Sequence, residues 1–101
     1  MAARYTSFRD FYPFYLGEHS NRTCRRLHFV GSVLVLITLA SVIATHWWEG
    51  LWLLPLIGYG FAWVGHFFFE KNRPATFTHP LYSFMGDWVM WKETLSGRIR
   101  F

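Results

Sequence analysis

The sequence predicts an all-α membrane protein: an antiparallel transmembrane helical hairpin with amphipathic or membrane-embedded helices at its N- and C-terminal ends. Three observations carry this. Of 101 residues, 52% are hydrophobic and 22% aromatic, whereas only 16% are charged. A single small soluble domain has too little interior to hide six Trp, five Tyr and eleven Phe. Two long stretches lack any Asp, Glu, Lys or Arg, and five residues join them. The whole chain, 1–101, reads as one membrane domain.

The N-terminal flank covers about residues 6–27. Phe8, Phe11, Tyr12 and Tyr15 stand at roughly helical spacing, and Pro13 argues for a break or a fresh start among them. The first uncharged run, FVGSVLVLITLASVIAT from Phe29 to Thr45, has 17 residues. As a helix it spans roughly 25 Å, near the lower limit for crossing a bilayer. HWWEG, residues 46–50, reads as an interfacial turn with an aromatic anchor. The second crossing, Leu51 to Phe69, has 19 residues and tolerates Pro55 near its start.

Such a hairpin puts Arg22, Arg25 and Arg26 on the same side as Lys71 and Arg73, and the connecting turn has neither Lys nor Arg. The positive-inside rule then places both ends in the cytoplasm. Small residues mark where the two helices approach: Gly31, Thr38, Ser41 and Thr45 on the first, and Gly58, Ala62, His66 and Glu70 on the second. Both lines lead toward His28 and His66. The C-terminal flank, about 80–95, opens with Pro80 in a first helical turn. It sets Leu81, Met85, Trp88 and Leu95 against Ser83, Asp87 and Thr94, the pattern of a helix lying at the interface.

Several function classes fall away. The net charge of +4 is scattered in short clusters and forms no stripe for nucleic acid. A single cysteine, Cys24, allows neither an intrachain disulfide nor a thiolate metal cluster. The first fifteen residues include Arg4, Arg9 and Asp10 and no continuous apolar region, so no secretory signal peptide is expected. Ser7, Ser83 and Tyr82 have no base at catalytic spacing.

The chemistry lies with the histidines. His46 belongs to the far turn; His19, His28, His66 and His79 all fall at the other end. One histidine near a helix end is ordinarily a hydrogen-bonded or interfacial residue, but four at one membrane face can bind iron, zinc, copper or nickel. His19 and His28 are nine residues apart and would lie on opposite faces of one straight helix, so sharing a metal requires a bend between them. Glu18, Glu70 and Asp87 can each ligate, orient an imidazole or pair with an arginine; for Glu70, pairing with its basic neighbours is the default. Arg73 and Asn72 suit a carboxylate head group. Two other readings stay open on these residues: a non-enzymatic hairpin with a closed zinc site, and a haem protein using His28 and His66.

The segments FYPFYLGEH, RRLHFVG, GYGFAWVGHFFFEKNRPATF and HPLYSFMGDWVMW resemble the family of small membrane proteins typified by the fungal 2-hydroxy fatty acid dioxygenase. The resemblance runs from about Tyr5 to Trp91 and is most specific from His66 through Asn72, Arg73 and Pro74 to His79 and Pro80. It implies an Fe(II)-dependent, non-haem oxygenase that uses O₂ to shorten a 2-hydroxy fatty acid by one carbon, releasing CO₂. Carried over position by position, the family's metal ligands fall on His19, His28, His66 and His79. The catalytic candidates are then Glu70, as an orienting or ion-paired group, with Arg73 and Asn72 for the substrate carboxylate. The partners implied are a 2-hydroxy fatty acid, O₂ and membrane lipid, with a homo-oligomer also compatible and a bacterial inner membrane as the expected setting.

Overall fold

In the computed structural model, which describes residues 5–101, four α-helices, two 3-10 turns and one π turn account for most of the chain. Arg4, one of the charges weighed against a signal peptide, lies outside the described residues. No strand occurs among the described residues.

Helix α1 spans Phe8–Gly17. The Ser7 side chain caps it by accepting from the Asp10 N–H, and Asp10 in its first turn suits the positive end of the helix dipole. Pro13 lies inside α1 and does not end it. The break comes later, at Glu18–Asn21, so the N-terminal flank is two helical segments joined by a bend. Asn21 caps the next helix through the Cys24 N–H, and α2 then runs unbroken over Arg22–Thr45.

His46 ends α2 in the left-handed region, at φ 57°. Only His46 and Trp47 separate α2 from the next helical stretch, which begins as a 3-10 turn at Trp48–Trp52. The expected five-residue loop is therefore shorter, because the WEG segment already winds. Helix α3 follows at Leu53–Val64 and passes directly into a π-helical turn, Gly65–Glu70. Lys71, at φ 58°, turns the chain out of it. A short 3-10 turn at Ala75–Phe77 leads to α4, Pro80–Leu95.

Close approaches pair Cys24 with Gly65, Gly31 with Phe61, Val35 with Gly58 and Val42 with Gly50. Ascending order on α2 meets descending order on the second helix, so the two pack antiparallel. Gly65 is required sterically: a Cβ there would lie 2.9 Å from the Cys24 sulfur and 3.2 Å from its Cα. The small-residue line predicted on α2 holds at Gly31 but fails toward its end. Ser41 and Thr45 are exposed and bond back to carbonyls of their own helix, and Val42 is the buried residue there.

Helix α1 docks on α4 through a core of Phe11, Tyr15, Ala75 and Met90. The Tyr12 and Tyr15 hydroxyls donate to Glu93 and Asp87 across this contact. Helix α4 corrects the amphipathic expectation. It turns Ser83, Gly86 and Met90 inward, while Leu81 (68% exposed), Phe84, Met85 and Leu95 point out. The α2 helix and the stretch Trp48–Glu70 are long and apolar enough to cross a membrane, and little of either is buried within the molecule.

Candidate metal centre

Three histidines from three segments converge. His19 comes from the bend between α1 and α2, His28 from the second turn of α2 and His66 from the π turn. They are 1%, 7% and 2% exposed. The His19 Nε2 lies 3.1 Å from His28 Nε2 and 3.0 Å from His66 Nε2. The rings meet nearly edge to face, with centroids 4.4 to 5.0 Å apart.

The outer nitrogen of each ring explains why the inner ones converge. His19 Nδ1 donates to the Tyr15 carbonyl at 2.7 Å, and His28 Nδ1 donates to the Cys24 carbonyl at 2.9 Å. His66 Nδ1 donates to Asn72 Oδ1 at 2.7 Å. The Asn72 amide is oriented for this because its Nδ2 donates to the Glu18 carbonyl and carboxylate, both at 3.1 Å. With every Nδ1 carrying the proton, each Nε2 keeps a lone pair. Three lone pairs aimed at one region repel each other, and a cation among them removes the repulsion. The donor set therefore fits a metal ion, and the three histidines can hold one. Burial first, and then His28, push the His19 imidazole well below the ordinary histidine value, which keeps it neutral as a ligand must be.

The bend that brings His19 to His28 is clamped from two sides. Arg25 Nη1 donates to the carbonyls of His19 (3.0 Å) and Ser20 (2.8 Å). The Glu70 carboxylate accepts from the Asn21 backbone N–H and the Ser20 hydroxyl, at the positive end of α2. The π turn delivers this carboxylate, and the Asn72 N–H closes the turn on the His66 carbonyl at 3.0 Å. Placing a functional residue in a π turn is common, because the extra residue re-aims a side chain without ending the helix.

A cavity of about 360 Å³ opens beside His28. His28 and Asp87 line it together with apolar residues that include Val35, Leu39, Leu54 and Pro55, and with the hydroxyl-bearing Ser32, Tyr59 and Thr76. From His28 to Leu39 along α2 it extends for about 16 Å. Asp87 is its one carboxylate, and burial pushes the Asp87 carboxyl up to about 6.

Over residues 5–99 the chain matches the family described as 2-hydroxy-palmitic acid dioxygenase Mpo1-like. It belongs to that family. Comparison with curated proteins and with solved structures gives no match. For this Mpo1-like chain, the resemblance on which the metal-ligand expectation rested is thus a matter of family membership.

Several residue expectations change within the Mpo1-like structure. His79 is not brought to the cluster. Its Nε2 accepts from the Tyr5 N–H at 3.4 Å, its Nδ1 lies 2.9 Å from the Thr78 hydroxyl, and its ring packs on Phe11. Asn72 orients His66 and is not free for a carboxylate head group. Glu70 neither pairs with a basic neighbour nor touches an imidazole; it caps the start of α2. Arg73 is exposed at the rim of a second cavity, with Glu18 and His79, and makes no hydrogen bond or ion pair among the described residues. Arg26 bonds to the Phe101 carbonyl. A haem between His28 and His66 would need a macrocycle between rings that stand 5.0 Å apart with His19 against both, and no such space exists. Sequence reasoning missed the carbonyl acceptors on Tyr15 and Cys24. Their only trace is that each precedes its histidine by four residues, one helical turn.

Proposed function

We propose that this chain is a membrane-embedded Fe(II) dioxygenase that shortens 2-hydroxy fatty acids by one carbon. The observation carrying this reading is the three-imidazole cluster beside an apolar cavity deep enough to receive an acyl chain. The family's description as a 2-hydroxy-palmitic acid dioxygenase supports the substrate class.

The reaction balances with O₂ alone. A 2-hydroxy acid and O₂ give the acid one carbon shorter, CO₂ and water; the substrate loses four electrons and O₂ accepts them. Iron, when bound, supplies the site where O₂ and the oxygens of the 2-hydroxy acid meet. His19, His28 and His66 would hold it, with their Nε2 lone pairs converging. The Tyr15 and Cys24 carbonyls and the Asn72 amide keep those rings neutral and aimed. Three protein donors suit an open site, whereas closed structural zinc sites use four. Val35, Leu39 and Pro55 receive the acyl tail and exclude water from the head of the cavity.

In this reading α2 and Trp48–Glu70 cross the bilayer. Arg22, Arg25, Arg26 and Lys71 sit at the metal end, and the His46–Trp47 turn lies on the other side. The positive-inside rule makes the metal end cytoplasmic.

The test is metal analysis of purified protein together with O₂-dependent conversion of 2-hydroxypalmitate to the acid one carbon shorter. Bound iron and turnover are expected, with both lost when His19, His28 or His66 becomes Ala and both retained in His79→Ala. Protein free of metal, or turnover indifferent to those three substitutions, overturns the reading.

A further inference from the structure

The carboxylate at the head of the cavity has no part in holding the metal. Asp87 accepts the Tyr15 hydroxyl through Oδ1, and the Tyr15 ring stacks on His19 with centroids 4.1 Å apart. Its place is therefore tied to the histidine cluster through one tyrosine. Gly86 makes the contact possible: a Cβ there would press on the Tyr15 ring at 3.0 to 3.2 Å. The second oxygen, Oδ2, makes no hydrogen bond among the described residues, and the cavity that Asp87 lines leaves it accessible.

Docking of α1 on α4 does not require this carboxylate. The Tyr12 and Glu93 pair already bridges the two helices, over a core of Phe11, Tyr15 and Met90. A carboxylate with one partner at the wall of an apolar cavity is costly to bury. The imbalance is removed by a ligand that brings a hydroxyl donor to that place. His28 and Asp87 line the same cavity, so a molecule whose tail fills the apolar part presents its polar end to both.

Building on the dioxygenase reading, we propose that Asp87 recognises the 2-hydroxyl of the substrate, accepting its hydrogen bond through Oδ2. The negative charge of Asp87 turns the substrate carboxylate away, toward the histidines. An acid without the 2-hydroxyl leaves Oδ2 covered and unpaired, and a site built to bond a hydroxyl rejects such an analogue. Asp87 then sets both the choice of substrate and the orientation of its head group.

Equilibrium binding of 2-hydroxypalmitic acid and of palmitic acid tests this. The protein is held in lipid nanodiscs, without O₂ so that nothing turns over, at pH 8. The wild type should prefer the hydroxy acid by roughly ten- to a hundredfold, the range for a hydrogen bond to a charged group. Asp87→Ala should reduce that preference to about threefold or less while palmitic acid binds at least as tightly as to the wild type, which shows that the cavity survives. If Asp87→Ala weakens palmitic acid binding, Asp87→Asn decides on the same criterion. Its amide oxygen keeps Tyr15 while its NH₂ replaces the acceptor. A variant that binds palmitic acid normally and retains the full preference overturns the role of Asp87 but leaves the dioxygenase reading standing. A wild type without preference overturns the role of Asp87 and leaves the dioxygenase reading to be decided by metal content and turnover.

Discussion

Asn72 bonds the outer nitrogen of His66 and so stands one residue removed from any metal the histidines would hold. Its amide is held by Glu18 and receives the His66 Nδ1 proton. Replacing it with Leu leaves that N–H buried without an acceptor and frees the ring to rotate. Loss of such a partner lowers metal affinity by about 10- to 100-fold. Competition with a chelator should read this drop in Asn72→Leu while helical content stays at the wild-type level. His79→Ala should leave metal affinity unchanged in the same titration, because His79 is occupied by Tyr5 and Thr78. The contrast separates the two histidines that the sequence groups together.

Among the elements, the π turn depends on Gly65, whose missing side chain lets Cys24 approach. Gly65→Ala overlaps the Cys24 sulfur and crowds its Cα, so a loss of about 1–3 kcal/mol is expected, read as a lower thermal midpoint together with reduced metal occupancy. On α4, Ser83→Leu should destabilise by a similar amount, since Ser83 is 2% exposed. Leu81→Ser should change stability in detergent by less than about 0.5 kcal/mol. The α1 and α4 contact carries a pH signature. Burial and then Glu93 raise the Tyr12 phenol above its ordinary value, so the unfolded chain loses this proton before the folded one does. The contribution is therefore complete below about pH 10 and declines as pH rises further. Thermal midpoints across the alkaline range should fall for the wild type and fall less steeply for Tyr12→Phe.

These elements also mark what the sequence made legible. The two apolar runs, the antiparallel pairing through Gly31 and Gly58, and the meeting of His28 with His66 follow from composition and periodicity. A bend between His19 and His28 follows from their nine-residue spacing once they are required to meet. The roles of Asn72 and Glu70 do not, because a π turn shifts every following side chain from its α-helical direction. The α4 faces were misassigned for another reason. Amphipathic logic assumes water outside, whereas this helix keeps its small and polar side inward and its large apolar side out. His79 lies close to Pro80 and the other family motifs in sequence, yet the Phe11 and Tyr15 rings come between it and the cluster.

For the molecule as a whole, the proposed topology puts the His46 turn and the metal centre on opposite sides of the bilayer. With Cys24 buried, a cysteine introduced at exposed His46 should react with an impermeant maleimide from the outer side only, and one at exposed Thr78 from the inner side only. Reaction of both from one side would rule out the two-crossing arrangement. Metal removal should also be felt globally. His19 and His66, 47 positions apart, come together with His28 where one ion could be held, and an ion bound there would work as a clasp as much as a reagent. It would join the bend, the long helix and the π turn, which otherwise meet through repelling nitrogens. Mass action then makes the cohesion of the fold depend on free metal, by about 2.7 kcal/mol at a hundred times the dissociation constant. A cell short of the metal would hold a looser protein before it held an inactive one.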